Sequence, residues 1–455
     1  MRRSFFLFVM VAFTLTTVGC STQSGQPQKP LPTATVRTAT MNITSGIEVL
    51  ARLALPDGFV PSVQYPPMWL QTGAEVAVAG TRNGRSTIMG YSGPGYRSER
   101  VIAVDGGIGA PDGRLVDIAP SPNGMTLALV VVKPKENQLE VVTRDVISGG
   151  AANPLSSFDG EFDSASVAWA DDFTILLALR AHPNEPQSPR DTDASSDSTP
   201  ATAPTAAEGL YIITDSGVIA TGYLKLNCKM SRLSWSPAGD AAAGAGDPDA
   251  PPVVIDRGKE SCQRINAGAS IRVVDWAHDS QSFLFQNTTQ PLGTGIYRYD
   301  LRTNTARMVA IASGAAANVT DNQLLALGNR DLTFRDAQEP SERRVRAQIA
   351  LSSPSGSEIE LESLGFNTTP TMLAASTMTY TRATDSAAIQ AFSPSTEGPV
   401  REIVTYSVAP KRAFVIAFGP AHGVATMSWS PRGHYLAVVD GDASSAALTI
   451  ISPPR

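Results

Sequence analysis

Val424-Ala-Thr-Met-Ser-Trp429-Ser-Pro431-Arg-Gly433-His-Tyr-Leu-Ala-Val-Val-Asp440 decides how the rest of the chain is read. It is a short apolar strand ending in Trp, a Ser-Pro-x-Gly turn, and a second apolar strand. Pro431 holds φ at a turn value and has no N–H to offer a ladder, while Gly433 accepts the positive φ that reverses the chain. The stretch is therefore a β-hairpin, and a search for a fixed period of such hairpins comes before any other reading of the fold.

All five tryptophans fall in the slot held by Trp429. Trp69 precedes Leu-Gln-Thr-Gly73 and the strand Glu75–Ala79, and Trp169 precedes Ala-Asp-Asp172 and Thr174–Leu179. Trp235-Ser-Pro237-Ala-Gly239-Asp240 repeats the C-terminal turn, and Trp276-Ala-His-Asp279 leads into Phe283-Leu-Phe285. A sixth copy keeps the turn without the Trp: Leu115-Val-Asp-Ile-Ala-Pro120-Ser-Pro-Asn-Gly124, then Thr126–Val132. With Pro120 as its slot, the spacings run 51, 49, 66 and 41 residues to Trp276, then 153 to Trp429. That last gap holds two degenerate units, placed near Gln323–Leu327 and Met378–Thr381.

Two further strands usually follow each hairpin, such as Gly295–Tyr299 and Ala306–Ile311 after Trp276. About four antiparallel strands per 40–50 residues is the signature of a β-propeller blade. The expected fold is all-β, a single propeller domain over residues 45–455. Counting slots gives eight blades, with seven the other count because Ala315–Gly365 is hard to parse. The last unit stops after its third strand, Ala447–Ile451, so Gly46–Ala54 is expected to supply the fourth and close the ring, removing an exposed sheet edge. The long spacing of 66 reflects an insertion, residues 184–208, whose Pro, Ser and Asp bias reads as a disordered loop.

In the propeller reading each Trp ends an innermost strand and packs between neighbouring blades. The residues two before the slot, Pro67, Ile118, Val167, Leu233, Val274 and Met427, are almost all apolar, as expected for a shared buried face.

The N-terminus reads as a targeting signal. Arg2-Arg3 precede the apolar run Phe5–Phe13, and Thr17-Val18-Gly19 precede Cys20. Residues 1–19 form a secretory signal too short for an ordinary membrane span. Its ending resembles the lipobox of bacterial lipoproteins, which implies cleavage before Cys20 and diacylglycerol on its thiol; the alternative is a plain secretory signal beside a chance cysteine. Residues 20–44, rich in Pro, Gln and Thr, read as a flexible tether. The expected location is the outer face of the cytoplasmic membrane, or a periplasm-facing membrane, held by acyl chains.

Hydrophobic residues at 42% suffice for a core, and 17% charged residues is below the roughly 25% of average soluble proteins. The formal net charge is −6, and loss of residues 1–19 removes Arg2 and Arg3 and no acid, leaving −8. Nucleic acid is excluded as a partner because its phosphates demand a basic footprint.

The Trp-Ser-Pro-x-Gly hairpins at Ser234–Asp240 and Ser428–Leu436, with the looser copy at Ala119–Leu127, resemble the TolB-type, WD40-like propeller family. With the lipobox in front, they resemble the propeller half of the LpqB lipoproteins of actinobacteria. The family's Asp after Pro is replaced here by Asn123, Ala238 and Arg432. The resemblance implies an extracytoplasmic scaffold that binds envelope proteins or small ligands.

No catalytic constellation accompanies the repeat. His182, His278, His422 and His434 are scattered, with no HExxH or paired-cysteine spacing, so neither a metal nor a cofactor is expected. A Gly-x-Ser-x-Gly elbow with its α/β segment is missing. Asp159-Gly-Glu161-Phe-Asp163 and Asp440-Gly-Asp442 look faintly like calcium loops but fail the spacing. Asp117, Arg232, Arg272 and Asp275 precede the Trp slots by one to four positions and are the candidates for a channel-mouth site; the competing role is mutual pairing between blades, as buried charges require. Cys228 and Cys262, on the way into the fourth blade and on its outer strand, suggest a disulfide in an oxidising compartment.

Two functions follow. The first is a lipid-anchored, non-enzymatic scaffold for an envelope protein. The second is a carbohydrate- or small-ligand-binding, or glycan-cleaving, propeller, which predicts several carboxylates converging at one end of the channel.

Overall fold

The computed structural model describes residues 47–453 apart from 108–110, 148–151, 182–208, 215–216, 221–230, 246–251, 257–260, 269, 312–314, 321–322, 328–330, 337–344, 351–358, 361–373, 394–399, 408–411 and 421–423. The signal, Cys20, the tether and the 184–208 insertion therefore lie outside the described residues. The strands pair antiparallel into eight sheets, six of four strands and two of five. Their innermost strands, in chain order, are Met68–Leu70, Arg114–Pro120, Phe162–Trp169, Ser231–Trp235, Ser270–Trp276, Ala315–Thr320, Ala374–Thr381 and Val424–Trp429. Successive innermost strands adjoin one another, which is the arrangement of a β-propeller. We number the blades one to eight in that order.

The repeated Ser-Pro-x-Gly turn has a single internal construction. In blade eight the Ser430 N–H donates to Tyr435 O at 2.8 Å, the Gly433 N–H returns to Ser430 O at 2.8 Å, and Ser430 Oγ accepts the Tyr435 N–H at 3.0 Å. Ser121 makes the same bonds with Thr126 and Gly124, and Ser236 with Ala241 and Gly239. The serine thus satisfies an N–H that the reversal would otherwise orphan. Gly433 sits at φ +68°, and a Cβ there would come within 2.5 Å of Thr384 Oγ1 on blade seven, so both conformation and space require glycine. In blade five, which lacks the motif, Ser280 takes the corresponding positive φ of 59°.

Blades are joined by their tryptophans. Trp429 packs with Ala388, Ile403 and Phe414 of blade seven as well as with Met427, Leu436 and Val438 of its own blade. Trp69 packs against Ala437, Val439, Leu448 and Ile450 of blade eight, and Trp276 against Ala241 and Ala243 of blade four. Trp169 and Trp235 lie against the apolar strands of blades two and three. Ile118, Val167, Leu233 and Met427, two before their slots, share these clusters. The degenerate units take their expected places: Gln323–Leu327 is the second strand of blade six, and Ala374–Thr381 is the innermost strand of blade seven, with Tyr380 in the slot.

The ring closes through the N-terminal strand. Glu48–Ala54 pairs antiparallel with Ala447–Ser452, from Glu48 opposite Ser452 to Ala54 opposite Ala447. Arg52 Nη1 donates to Thr449 Oγ1 at 2.9 Å and lies 3.6 Å from the Asp440 carboxylate on the neighbouring strand. Ile47 and Ala51 join the buried clusters on either side.

Candidate functional site

The inner strands carry side chains that reach for the backbone of the next blade. Asp117, on the inner strand of blade two, accepts the Tyr65 O–H on Oδ1 at 2.5 Å and the Val167 N–H of blade three on Oδ2 at 2.7 Å. Ser166 Oγ accepts the Leu233 N–H of blade four at 3.3 Å. Asp275, in blade five, accepts the Asn318 N–H at 2.9 Å and the Asn318 amide at 3.3 Å from blade six. These are struts between blades, made to backbone N–H groups and to the Tyr65 and Asn318 side chains.

Burial pushes the Asp117 carboxyl above the ordinary aspartate range, and the hydrogen bonds from Tyr65, Val167, Ile118 and Ser166 pull the other way without overcoming it. Burial also raises Asp275, opposed by Asn318 and by the Arg382 guanidinium. The Asp275 side chain keeps 34% of its surface open, so solvent tempers that upward push more than at Asp117, which is 8% exposed.

Asp117 and Asp275 line two different clefts. The first, about 460 Å³, lies between blades one and two. It exists because the inner strand of blade one is broken: Phe59–Pro61 and Met68–Leu70 both pair with Glu75–Arg82, and the segment between them bulges away. Tyr65 from that bulge stands over Asp117, and Val60, Val63 and Val116 expose 40, 73 and 37% of their surface along the rim.

The second cleft, about 520 Å³, is assembled from blades five to eight: Asp275, Ala316 and Ala317, Met378 to Ala383, and Ser428 to Pro431. It opens on the face bearing the Ser-Pro hairpin turns, whereas the first lies beside Arg82–Arg85, a turn at the other end of the strands. Arg382 crosses it. Its Nη2 reaches back over blade six to the Trp276 carbonyl at 2.7 Å and stands 4.0 Å from Asp275 Oδ2. Tyr380 bonds Asp385, and burial with that bond raises its phenol above the usual range.

Of the four residues singled out from the sequence, the structure thus places Asp117 and Asp275 at separate clefts, with neither supplying a partner carboxylate to the other. Arg232 and Arg272 take their positions on the inner strands of blades four and five; their side chains lie outside the described residues. Tyr65 and Arg382 were missed. Arg382 sits in the turn of the degenerate unit recognised at Met378–Thr381, which is the one signal that pointed to it.

Among the described residues no group of three or more His, Cys, Asp or Glu could hold a metal ion. Asp442 accepts the Ser444 N–H and the Ser444 and Ser445 hydroxyls at 2.6–3.0 Å, so the calcium-like stretch is a turn stabilised by its own side chains. Cys262 lies on the outer strand Ser261–Arg264 and is disulfide-bonded. Cys228, the partner expected for it, lies outside the described residues. No described helix is long and apolar enough to cross a membrane.

No protein-family profile matches this chain, and no curated protein does. Among solved structures, the propeller of Dos1 matches with TM-score 0.50 and 10% identity over 90% of this chain and 96% of that one. The β-propeller domain of Cps50 (Swd1) from Myceliophteria thermophila gives TM-score 0.41 and 9% identity, covering 88% of this chain and 99% of its own. TolB from Acinetobacter baumannii gives 0.34 and 13%, over 63% and 65%. At 10% identity the Dos1 match speaks to fold alone, and that fold is a propeller.

Proposed function

We propose that this chain is a lipid-anchored extracytoplasmic propeller that acts as a non-enzymatic scaffold for a protein of the cell envelope. The observation that carries the proposal is the use made of the inner-strand carboxylates. Asp117 and Asp275 each hold a neighbouring blade through backbone N–H groups, which suits a rigid ring better than a reacting acid-base pair. Around Asp275, inner-strand residues of blades five and six and the hairpin turns of blades seven and eight frame a wide cleft, the type of concave surface on which propellers present a docking site. The Phe5–Phe13 run and Cys20 supply the address and the anchor.

The test has two arms. Metabolic labelling with a fatty-acid probe should mark the wild-type protein and not Cys20→Ser, and should move the variant from the membrane to the soluble fraction. Affinity capture from detergent-solubilised membranes should return the same protein partner in replicate. An unlabelled wild-type protein would sink the anchor, and repeated capture of no partner would sink the scaffold.

A second reading rests on the cleft of about 460 Å³ between blades one and two, whose valine rim and Tyr65–Asp117 floor suit a small amphipathic ligand. Saturation by such a ligand would raise the melting temperature of the wild type and leave Val63→Asp unmoved.

A further inference from the structure

Arg382 is held more firmly, and neutralised less completely, than a guanidinium in a merely structural role. Its head is fixed by Nη2 donating to the Trp276 carbonyl, 106 residues earlier in the chain, yet 36% of the side chain is exposed to the cleft. Nε and Nη1 have no partner among the described residues. Among the described residues its ion-pair partner is Asp275, 4.0 Å away, at the outer limit of such a pair, and the oxygen that faces it already takes the backbone and side-chain N–H groups of Asn318. An arginine so placed still has donors in a planar fork to offer to a carboxylate.

The surroundings supply the rest of an anion receptor. Thr381 and Ser430 line the same cleft, and each hydroxyl accepts a backbone N–H, from Ala383 at 3.3 Å and Tyr435 at 3.0 Å. Each therefore keeps its own hydrogen to donate, and neither donates it to a described residue. Ala316, Ala317, Met378, Trp429 and Pro431 share the walls with Thr379, Tyr380 and Ser428. The Trp276 bond fixes the guanidinium in advance, which reduces the ordering entropy that binding must otherwise overcome.

We infer that this cleft receives the carboxylate of an acidic side chain from a partner polypeptide, with Arg382 as its receptor and the Thr381 and Ser430 hydroxyls as flanking donors. The inference rests on the scaffold reading and names the chemistry by which that scaffold takes hold of its partner. A polypeptide is favoured over a free small acid because the cleft, about 520 Å³ and drawn from four blades, is far larger than one carboxylate and offers both polar and apolar side chains where the rest of an extended segment would lie. Asp275 then works against the ligand: its charge shares the guanidinium and keeps the empty site from attracting small anions.

The test is selection of peptides from a random display library on the full-length protein in detergent, followed by fluorescence anisotropy with the selected peptides. Enriched peptides should share an Asp or Glu whose change to Asn or Gln weakens binding by about tenfold or more, the worth of a charge-assisted hydrogen bond. Arg382→Gln should lose that discrimination, Arg382→Lys should retain part of it, and Asp275→Asn should bind the same peptides more tightly. Tightening is a readout that a purely structural role for Asp275 would not produce. Melting curves of the variants verify the fold, and Arg382→Lys keeps a charged donor in place if Arg382→Gln is unstable. The inference is overturned if the selected peptides lack an acidic residue, if folded Arg382→Gln binds them as the wild type does, or if free glutarate competes at the same concentration as the peptides. Capture of the same envelope partner by Arg382→Gln and wild type would overturn this site and leave the scaffold standing. Failure of the wild type to capture any protein would overturn both.

Discussion

The indole Nε1 of Trp69 donates to the carbonyl oxygen of Ser428 at 3.1 Å, fastening two residues 359 positions apart across the seam where the ring closes. The acceptor lies one residue before the slot of the preceding blade, and the rule repeats: Trp169 bonds Ala119 O at 2.9 Å, Trp276 bonds Ser234 O at 3.3 Å, and Trp429 bonds Thr379 O at 3.2 Å. Trp235 departs from it, for its Nε1 is buried with no partner among the described residues. Where the slot holds tryptophan, the indole thus contributes buried area and, in four of the five, one directed N–H.

These two contributions separate by mutation. Trp429→Ala should cost about 3–5 kcal/mol in denaturant unfolding, through the cavity left between blades seven and eight. Trp429→Phe keeps most of the area and should lose about 1 kcal/mol more than Trp235→Phe, because only the first removes a hydrogen bond. Equal losses in the two Phe variants would show that the indole bond contributes nothing.

Closure by Glu48–Ala54 predicts where the ring opens first. Deleting residues 46–54 strips Ile47, Ala51 and Arg52 from blade eight and bares the edge of Ala447–Ser452. Hydrogen exchange should rise in that strand before any other, with a lower melting temperature. Unchanged exchange there would contradict the closure.

The raised Asp117 carboxyl fixes the sign of a pH effect. With a folded pKa above its unfolded value, the native state binds the proton more tightly, so the group's contribution is fully present below the unfolded pKa and is lost as pH rises through the folded one. Asp117→Asn retains an oxygen for the Val167 N–H and removes the titration. The stability difference between variant and wild type should therefore shift in favour of the variant as pH rises from about 4, the usual aspartate value, toward neutrality. A difference that stays flat over that interval would refute the assignment.

The Cys262 disulfide predicts a peptide map. Digestion without reductant should release Cys262 joined to Cys228, a loop whose closure would stabilise the fold by about 3 kcal/mol in the chain-entropy account. Alkylation of Cys262 in the unreduced protein would overturn it.

Gly433 offers a local test. Gly433→Ala places a Cβ at φ +68° against Thr384 and should cost about 1–3 kcal/mol. Arg432→Ala beside it, on an exposed turn position, should cost less than about 0.5 kcal/mol.

Much of the architecture was legible because it is written in short-range chemistry. Pro431, Gly433 and the continuous apolar run at the start of Leu436–Gly441 specify a hairpin without help from distant residues, and repetition of that hairpin specifies a ring. Even the closing strand could be read, since a blade with three strands needs a fourth. The clefts were legible only in part. Asp117 and Asp275 stood out as charges on apolar strands, but nothing local says that one meets Tyr65 and the other Asn318, or that they line different clefts. Arg382 belonged to a unit recognised as degenerate, and its reach to Trp276 passes over an entire blade.

By itself, then, the sequence determined the blade, the turn that builds it, the slot that buries Trp429 and its equivalents, and the expectation of an acylated Cys20. These depend on backbone torsions, on side-chain alternation and on a contiguous motif, all of which act over a few residues. The tertiary structure decided which carbonyl each indole finds, which backbone each carboxylate holds, and that Arg382 spans a cleft built by four blades. Such contacts join residues 42 to 361 positions apart, and their partners are set by the curvature and stacking of the whole ring rather than by any neighbour in the chain.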